Sequence, residues 1–255
     1  MNEPLQITSR DNPLLQRLRK LAQDPSGYRH AAQVWLEGEH LCAALCQRGG
    51  VAEQAVITEL AWQDPHLRRL ARSAARVAIV PVALFKGISG LESPAAIGLL
   101  MTLPPMPAIH AHAASVVLDR VQDAGNVGSI LRSAAAFGFA QVLAMQGTAA
   151  LWSPKVLRAG MGAHFGLRLI EGLDEAALSA LALPLVATSS HGGAPLPQAA
   201  LPKPCAWVLG HEGQGVSASL LARCRLQVRI PQPGGEESLN VAAAAAVCLY
   251  ESARR

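Results

Sequence analysis

The sequence predicts an α/β protein in two parts, the larger built on an open parallel sheet with helices on both faces. Three observations point there. From residue 115 onward, short apolar runs alternate with stretches of helical periodicity, the pattern of β-α units feeding a parallel sheet. Three of those runs lead straight into loops rich in Gly, Asn, Asp and Glu, at residues 119–126, 210–215 and 230–240. The segment Leu103-Pro-Pro-Met-Pro-Ala-Ile-His-Ala-His112 carries three prolines in four positions, which regular structure does not tolerate. That segment separates residues 1–105 from residues 106–255.

In the first part, residues 13–22 have helical spacing, with Leu14, Leu15, Leu18 and Leu21 repeating and Arg17, Arg19 and Lys20 on other faces. Those cations fit either a solvated face or an RNA-facing one. Val34-Trp-Leu is a strand running into the turn at Glu37-Gly38, and residues 39–47 form a helix closed by Gly49-Gly50. Residues 53–58 are a strand, 64–75 a helix opening with Pro65, and 77–80 and 96–101 strands. In the second part, Ser115-Val-Val-Leu118 is a continuous apolar run, as in a buried parallel strand. Residues 127–137 form a helix, with Asn126 as its N-cap and Gly138 at its end. Strands at 141–145, 167–170, 185–188, 206–209 and 226–230 alternate with helices at 154–161 and 174–181, the latter acidic in its first turn. A last helix begins after Ser238, its expected cap, with Glu236 and Glu237 before it and Arg254 and Arg255 at its end, signs that suit the helix dipole.

Composition bounds the function. Of 255 residues, 51% are hydrophobic and 16% charged, which supplies core enough for one large domain or two modest ones and excludes global disorder. Aromatics, at 4%, leave little for base stacking. The formal net charge is +4, and only Lys20, Lys86, Lys155 and Lys203 are lysines. Arginine suits bidentate phosphate contacts better than lysine does. Residues 1–105 carry 11 basic and 9 acidic side chains, and the remainder of 22 and 18 leaves the same for residues 106–255, so charge does not separate the parts by role. The mild positive balance permits a nucleic-acid partner without requiring one. Five cysteines (Cys42, Cys46, Cys205, Cys224 and Cys248) with no CxxC pair argue against a disulfide framework or zinc ribbon. Cys42 and Cys46 share a helix face and pack as core. His110 and His112 have no partners at ligand spacing, so no metal is expected. The first ten residues lack the apolar core of a signal peptide, and the run 241–250 is too short to span a bilayer. The expectation is a cytoplasmic protein with no membrane association.

Loops that follow parallel strands gather at the carboxyl edge of the sheet, where ligands bind. None of the three is a P-loop or a dinucleotide fingerprint, and no Ser or Cys sits on a nucleophile elbow. Taken together they are specific. Asn126-x-Gly128-x-x-x-Arg132, then Gly210-x-Glu212-x-x-Gly215, then Ile230-Pro231 with Ser238-Leu-Asn-Val241, closely resemble the three motifs of the SpoU (TrmH) family of 2′-O-ribose RNA methyltransferases, in the SPOUT superfamily. The resemblance covers residues 115–253. Residues 1–105 are similar to the small RNA-substrate-binding domain of that family, a ribosomal-protein-like α/β fold, through Trp35-Leu-Glu-Gly-Glu-His40.

The resemblance implies S-adenosyl-L-methionine as methyl donor, rRNA or tRNA as substrate, a trefoil knot in the C-terminal part and a homodimer. It implies a donor site at Leu209, Gly210, Ile230, Pro231 and Leu239, and catalytic or positioning roles for Asn126, Arg132, Glu212, Ser238 and Asn240. Arg132 would contact the target phosphate; a free guanidinium does not deprotonate near neutral pH, so a base role would need transfer through phosphate or water. Asn126 as cap and Asn126 as RNA or donor contact compete for one side chain. Glu212 would hold Asn126 or the Arg132 region in place. Gly213 and Gly215 serve either the donor pocket or turn formation alone, and His191 either lines the pocket or is an ordinary loop residue. Two positions depart from the family pattern: Gln232 where a methionine commonly follows Ile-Pro, and Ala242 where a serine commonly follows Ser-Leu-Asn-Val. A non-catalytic RNA-binding protein and a base-modifying methyltransferase are the other functions such a chain could serve.

Overall fold

The computed structural model describes residues 3–91, 93–189, 192–234 and 238–254. In chain order its helices and strands are β1 (Leu5–Gln6), α1 (Pro13–Gln23), α2 (Gly27–Ala31), β2 (Gln33–Glu37), α3 (Glu39–Gln47), β3 (Ala52–Thr58), α4 (Pro65–Ala71), β4 (Ala74–Val80), α5 (Val82–Lys86) and β5 (Ile97–Thr102). There follow β6 (Ser115–Asp119), α6 (Ala124–Ala136), β7 (Gln141–Met145), α7 (Pro154–Gly160), β8 (Arg168–Leu173), β9 (Leu185–Thr188), β10 (Ala194–Pro195), β11 (Ala206–Gly210), α8 (Ala218–Arg223), β12 (Leu226–Arg229) and α9 (Val241–Arg254).

Two compact units result: Met1–Pro105 with Trp152–Phe165, and Met106–Leu151 with Gly166–Arg255. The chain therefore divides at the proline-rich segment, but the stretch around α7 belongs with the first unit and not with residues 106–255. It is packed in by side chains that a linear boundary does not register. Val156 and Leu157 are buried, and a Cβ on Gly162 would lie 2.4 Å from the Ala44 methyl.

The first unit has a five-stranded sheet in the order β1-β4-β3-β5-β2, with β1, β4 and β3 parallel and β5 antiparallel to both its neighbours. α1 forms as its pattern predicts: Asn12 caps it by accepting from the Leu14 N–H at 2.9 Å, Pro13 pre-sets the first turn, and Leu15, Leu18 and Leu21 are buried. Gly98 is required beneath Trp35, because a Cβ there would lie 2.2 Å from the indole ring. The helix expected over residues 64–75 stops at Ala71. Chain from Ala74 pairs with β3 over its whole length, and the ladder overrides the helical tendency of Ala74 and Ala75.

The second unit is an all-parallel seven-stranded sheet in the order β10-β12-β9-β11-β6-β7-β8. β6, β7 and β11 are buried along their full length, as continuous apolar runs between two helical layers should be. Val117, Leu143, Ile170, Ala187, Val208 and Leu220 form part of its core. Trp207 on β11 is wholly buried, and its Nε1–H donates to Ser252 Oγ at 2.9 Å, tying α9 to the sheet centre. The helix expected over residues 174–181 is reduced to a 3₁₀ turn at Ala176–Ala180, started by Asp174 accepting from the Ala177 N–H. The Leu181 N–H closes back on the Leu178 carbonyl at 3.1 Å and the Ala182 N–H is taken by the Ala111 carbonyl at 3.0 Å, so the chain turns away instead of extending as α-helix. Among the described residues no helix is long and apolar enough to cross a membrane.

Candidate functional site

The sheet order reverses at β6, which lies between β7 and β11 although β8, β9 and β10 intervene in sequence. Such a switch point opens a crevice beyond the carboxyl ends of the strands. The loops after β6, β11 and β12 all emerge at that edge, and Gly210 pairs directly with Asp119 at the ends of β11 and β6.

The three loops are joined by one chain of hydrogen bonds. The Glu212 carboxylate accepts from the Gln122 N–H at 3.2 Å, the Asp123 N–H at 3.0 Å and Asn126 Nδ2 at 3.0 Å. Asn126 Oδ1 accepts from Asn240 Nδ2 at 2.9 Å. Asn240 Oδ1 in turn accepts from the N–H groups of Ala242 and Ala243, at 2.9 and 3.3 Å. Glu212 is held far below the usual carboxylate range, at about 2: burial pushes it upward, but the bonds from Asn126 and the backbone of Asp123, Glu212 and Gln122 outweigh burial. It stays ionised through any physiological pH.

Two expected caps move, and the first move frees the Asn126 side chain for this chain. α6 is capped by Asp123, whose Oδ1 accepts from the Asn126 N–H at 2.7 Å, so Asn126 lies inside the first turn and not before it. An aspartate three residues upstream of a helical N–H is a better cap than Asn126 itself, because its charge suits the helix N-terminus. Its side chain is thus released from the competition expected for it. At α9 the cap is Asn240; Ser238 is exposed and takes no part in it. Asn240 stands directly before the first helical residue, Val241, and can reach the N2 and N3 amides, which Ser238 cannot. His191, Glu236 and Glu237 lie outside the described residues.

Arg132 sits on α6 six residues after Asn126, roughly 9 Å along the axis and on a different face. It is exposed and shares no bond with the Glu212–Asn126–Asn240 chain. Leu209 and Gly210 are buried at the end of β11, Ile230 is half-buried after β12, and Pro231 and Leu239 are exposed. β9 separates β11 from β12, so these residues flank a strand end and do not touch through the sheet. Gln232 Oε1 is a buried acceptor with no partner.

The loop after β11 is largely self-satisfied. His211 and Gly215 exchange backbone bonds at 3.1 and 2.8 Å, and the Gly213 and Gln214 N–H groups both point to His211 Nδ1, at 3.0 and 3.3 Å. What this loop can offer a ligand is therefore mainly carbonyl oxygen. The glycine at 210 answers to the loop itself: a Cβ there would lie 2.1 Å from the backbone of Gly215 and Val216. Gly215, at φ +67°, is needed for the turn.

Several residues at this edge went unremarked in the sequence. Asp119, buried at the end of β6, accepts from the Ser217 N–H at 2.6 Å and from Arg120 Nε at 3.0 Å. Burial raises its carboxyl, but the Arg120 and Ser217 bonds outweigh that and leave it below its ordinary value. Arg120 Nη1 continues to Gln214 Oε1 at 2.9 Å. A charged pair ending an apolar strand was the available signal. A cleft of about 430 Å³ among Leu178, Pro184, Leu185, Arg223 and Arg225 opens at the opposite, amino-terminal edge and contains none of these residues.

Sheet and site together define a class, the SPOUT-type methyltransferase fold with its ligand edge at the switch point. Residues 113–250 match the SpoU rRNA methylase family, and the chain belongs to that family. It is 33% identical to an uncharacterized tRNA/rRNA methyltransferase of Synechocystis over 98% of this chain and 93% of that one. With the 23S rRNA (guanosine(2553)-2′-O)-methyltransferase RlmP of Bacillus subtilis it shares 29% identity over 84% of this chain and 86% of the relative. Among solved structures, an RNA 2′-O ribose methyltransferase superposes with a TM-score of 0.83 at 31% identity, covering 98% of both chains. An AdoMet-bound rRNA methyltransferase from Sinorhizobium meliloti superposes with a TM-score of 0.86 at 26% identity, covering 98% of this chain and 97% of that one.

Proposed function

We propose that the chain is an S-adenosylmethionine-dependent methyltransferase that methylates a ribose 2′-hydroxyl of RNA, with ribosomal RNA as substrate. The observation that carries this reading is the Glu212–Asn126–Asn240 chain, which gathers all three motif loops at one edge of a family fold. The RNA class follows the named substrates of the B. subtilis and S. meliloti relatives; transfer RNA is the other candidate.

The residues present fit the donor. Gln232 Oε1 is a buried acceptor without a partner, beside Ile230 and Pro231. The adenine amino group and the methionine ammonium of S-adenosylmethionine both carry N–H donors that such an orphan requires. Loop carbonyls after β11 are acceptors of the same kind. Leu209, Gly210, Ile230, Pro231 and Leu239 would hold the donor, which when bound supplies an electrophilic methyl carbon on a sulfonium.

The chain's own residues position the other reactant. Arg132, a permanent cation with five N–H donors and no partner in the hydrogen-bond chain described above, takes a phosphate of the RNA and fixes the ribose. Alignment of this kind lowers a barrier by several kcal/mol. Glu212, ionised and bonded three times, does not receive the hydroxyl proton; it holds the first turn of α6, and with it Asn126, in place. Ser238, exposed beside Leu239, faces the RNA. Residues 1–105 serve as the RNA-substrate-binding part.

The homodimer belongs to the same reading. Ala243, Val247 and Tyr250 form an exposed stripe on α9 at i, i+4 and i+7, and Tyr250 meets Phe137 of α6 edge-on at 5.7 Å. A second copy would cover that stripe. The trefoil threading is likewise part of the proposal. It is supported by the sheet order β12-β9-β11-β6 and by the bond from Asn240 back to Asn126. The protein would act in the cytoplasm, without metal. A filter assay with methyl-labelled donor and total unmethylated RNA tests the activity: label retained on RNA supports it, whereas donor binding without transfer points to a non-catalytic RNA-binding protein.

A further inference from the structure

Three described residues other than glycine have a left-handed backbone: Ala32, Arg120 and Met161. Ala32 and Met161 are C-caps of α2 and α7, where that conformation ends a helix. Arg120 follows a strand, at φ +58°, where no cap requires it. Strain of this sort persists only where the surroundings over-determine it, and it concentrates at functional sites.

The surroundings here are specific. Turned by that φ, Arg120 folds back over Asp119 and bonds its Oδ1 through Nε at 3.0 Å, while Nη1 reaches Gln214 Oε1 at 2.9 Å. Its aliphatic stem lies over Gly147, where a Cβ would come within 3.2 Å of Arg120 Cγ. The loop carrying Gly147 is itself fixed to the β6 end, through Thr148 Oγ1 to the Leu118 carbonyl at 2.9 Å and the Ala149 N–H to the Val121 carbonyl at 2.9 Å. Asp119 is anchored independently by the Ser217 N–H. One guanidinium therefore spans from a buried, fixed carboxylate to Gln214, an exposed residue near the tip of the loop between Gly210 and Gly215.

We propose that Arg120 is a positioning residue for the methyl donor: by bridging Asp119 to Gln214 it fixes the 211–215 loop against the end of β6 and so sets donor affinity rather than the rate of transfer. The inference rests on the donor reading given above. Glu212 clamps the same loop to α6 on its RNA side, so the two bridges divide the loop: Glu212 serves Asn126, and Arg120 serves the donor side.

The test is titration calorimetry of S-adenosylmethionine into the full chain and into Arg120→Gly, Gln214→Ala and the double variant. Transfer rate is measured in parallel at saturating donor and RNA. Glycine accepts φ +58° without strain, so Arg120→Gly removes the bridge and spares the backbone. Each single variant should bind donor about 10-fold more weakly, the double no more weakly than the worse single, and saturated rates should stay within about twofold, as a shared interaction requires. Arg120→Lys, with one ammonium for two separated partners, should not restore affinity. Unaltered affinity in a folded Arg120→Gly, or losses that multiply in the double, overturns the inference while leaving the donor reading intact. If Arg120→Gly does not fold, Gln214→Ala probes the same bridge from an exposed side chain, and unaltered affinity there overturns it equally. Absence of donor binding by the unsubstituted chain overturns the donor reading itself.

Discussion

Replacing Glu212 by Gln removes the one charge that holds the hydrogen-bond chain together while keeping its shape. The carboxylate accepts from two backbone N–H groups and one amide. A Gln side chain has a single carbonyl oxygen for three donors, and its NH₂ would face one of them. Displacement of the carboxyl from 4.5 to about 2 corresponds to roughly 3.4 kcal/mol at 1.36 kcal/mol per pH unit. Glu212 is exposed, so solvent screening reduces that to about 1–2 kcal/mol. For a chain of this size the loss lowers the thermal midpoint by about 3–6 °C. The sign with pH is fixed. A carboxyl depressed on folding contributes its full stability above the unfolded value of 4.5 and loses it as pH falls toward about 2. Midpoints of both proteins measured by calorimetry from pH 7 to pH 3 should therefore show a gap that is constant down to about pH 4.5 and narrows below it. A gap of the same size throughout, or none at pH 7, would refute the argument that charge-assisted bonds hold this junction.

Other outcomes follow from the same geometry. Gly210→Ala places a methyl 2.1 Å from the Gly215 and Val216 backbone and should cost about 1–3 kcal/mol with loss of donor binding, read by calorimetry. Asp123→Ala removes the α6 cap and should cost about 1 kcal/mol, with a larger loss of activity if Asn126 is drawn back to cap the helix. Gln232→Met removes an orphaned acceptor; the donor-free chain should be as stable or more so, and donor binding weaker, in thermal melts with and without S-adenosylmethionine. Burial raises Cys205 and Cys224 to about 11 and Cys248 to about 12, so these thiols should resist alkylation at pH 8 until the chain unfolds.

Strand runs such as Ser115–Asp119 and Ala206–Gly210 could be read from sequence because both faces are buried and the central side chains are all apolar. The edge carrying the site followed from parallel connectivity alone. What escaped depended on competition between neighbours. Asp123 and Asn126 are both good caps; Asp123 caps, and the Asn126 side chain goes instead to Glu212, 86 residues away, which no local pattern shows. Ser238 and Asn240 compete in the same way at α9. Arg120 and Gln214 are 94 residues apart, and nothing local in either announces the bridge. The packing of Trp152–Phe165 with the first unit is a tertiary choice of the same kind.

The central claim is transfer of a methyl group to a ribose oxygen with Arg132 serving the RNA. Its most direct test is alkaline hydrolysis of RNA labelled by the wild-type chain, with Arg132→Ala alongside. A methylated 2′-oxygen cannot attack its phosphate, so the label should reside in an alkali-resistant dinucleotide. Arg132→Ala should abolish labelling while binding S-adenosylmethionine with nearly unchanged affinity. Label recovered on a mononucleotide base, or undiminished labelling by Arg132→Ala, would contradict it.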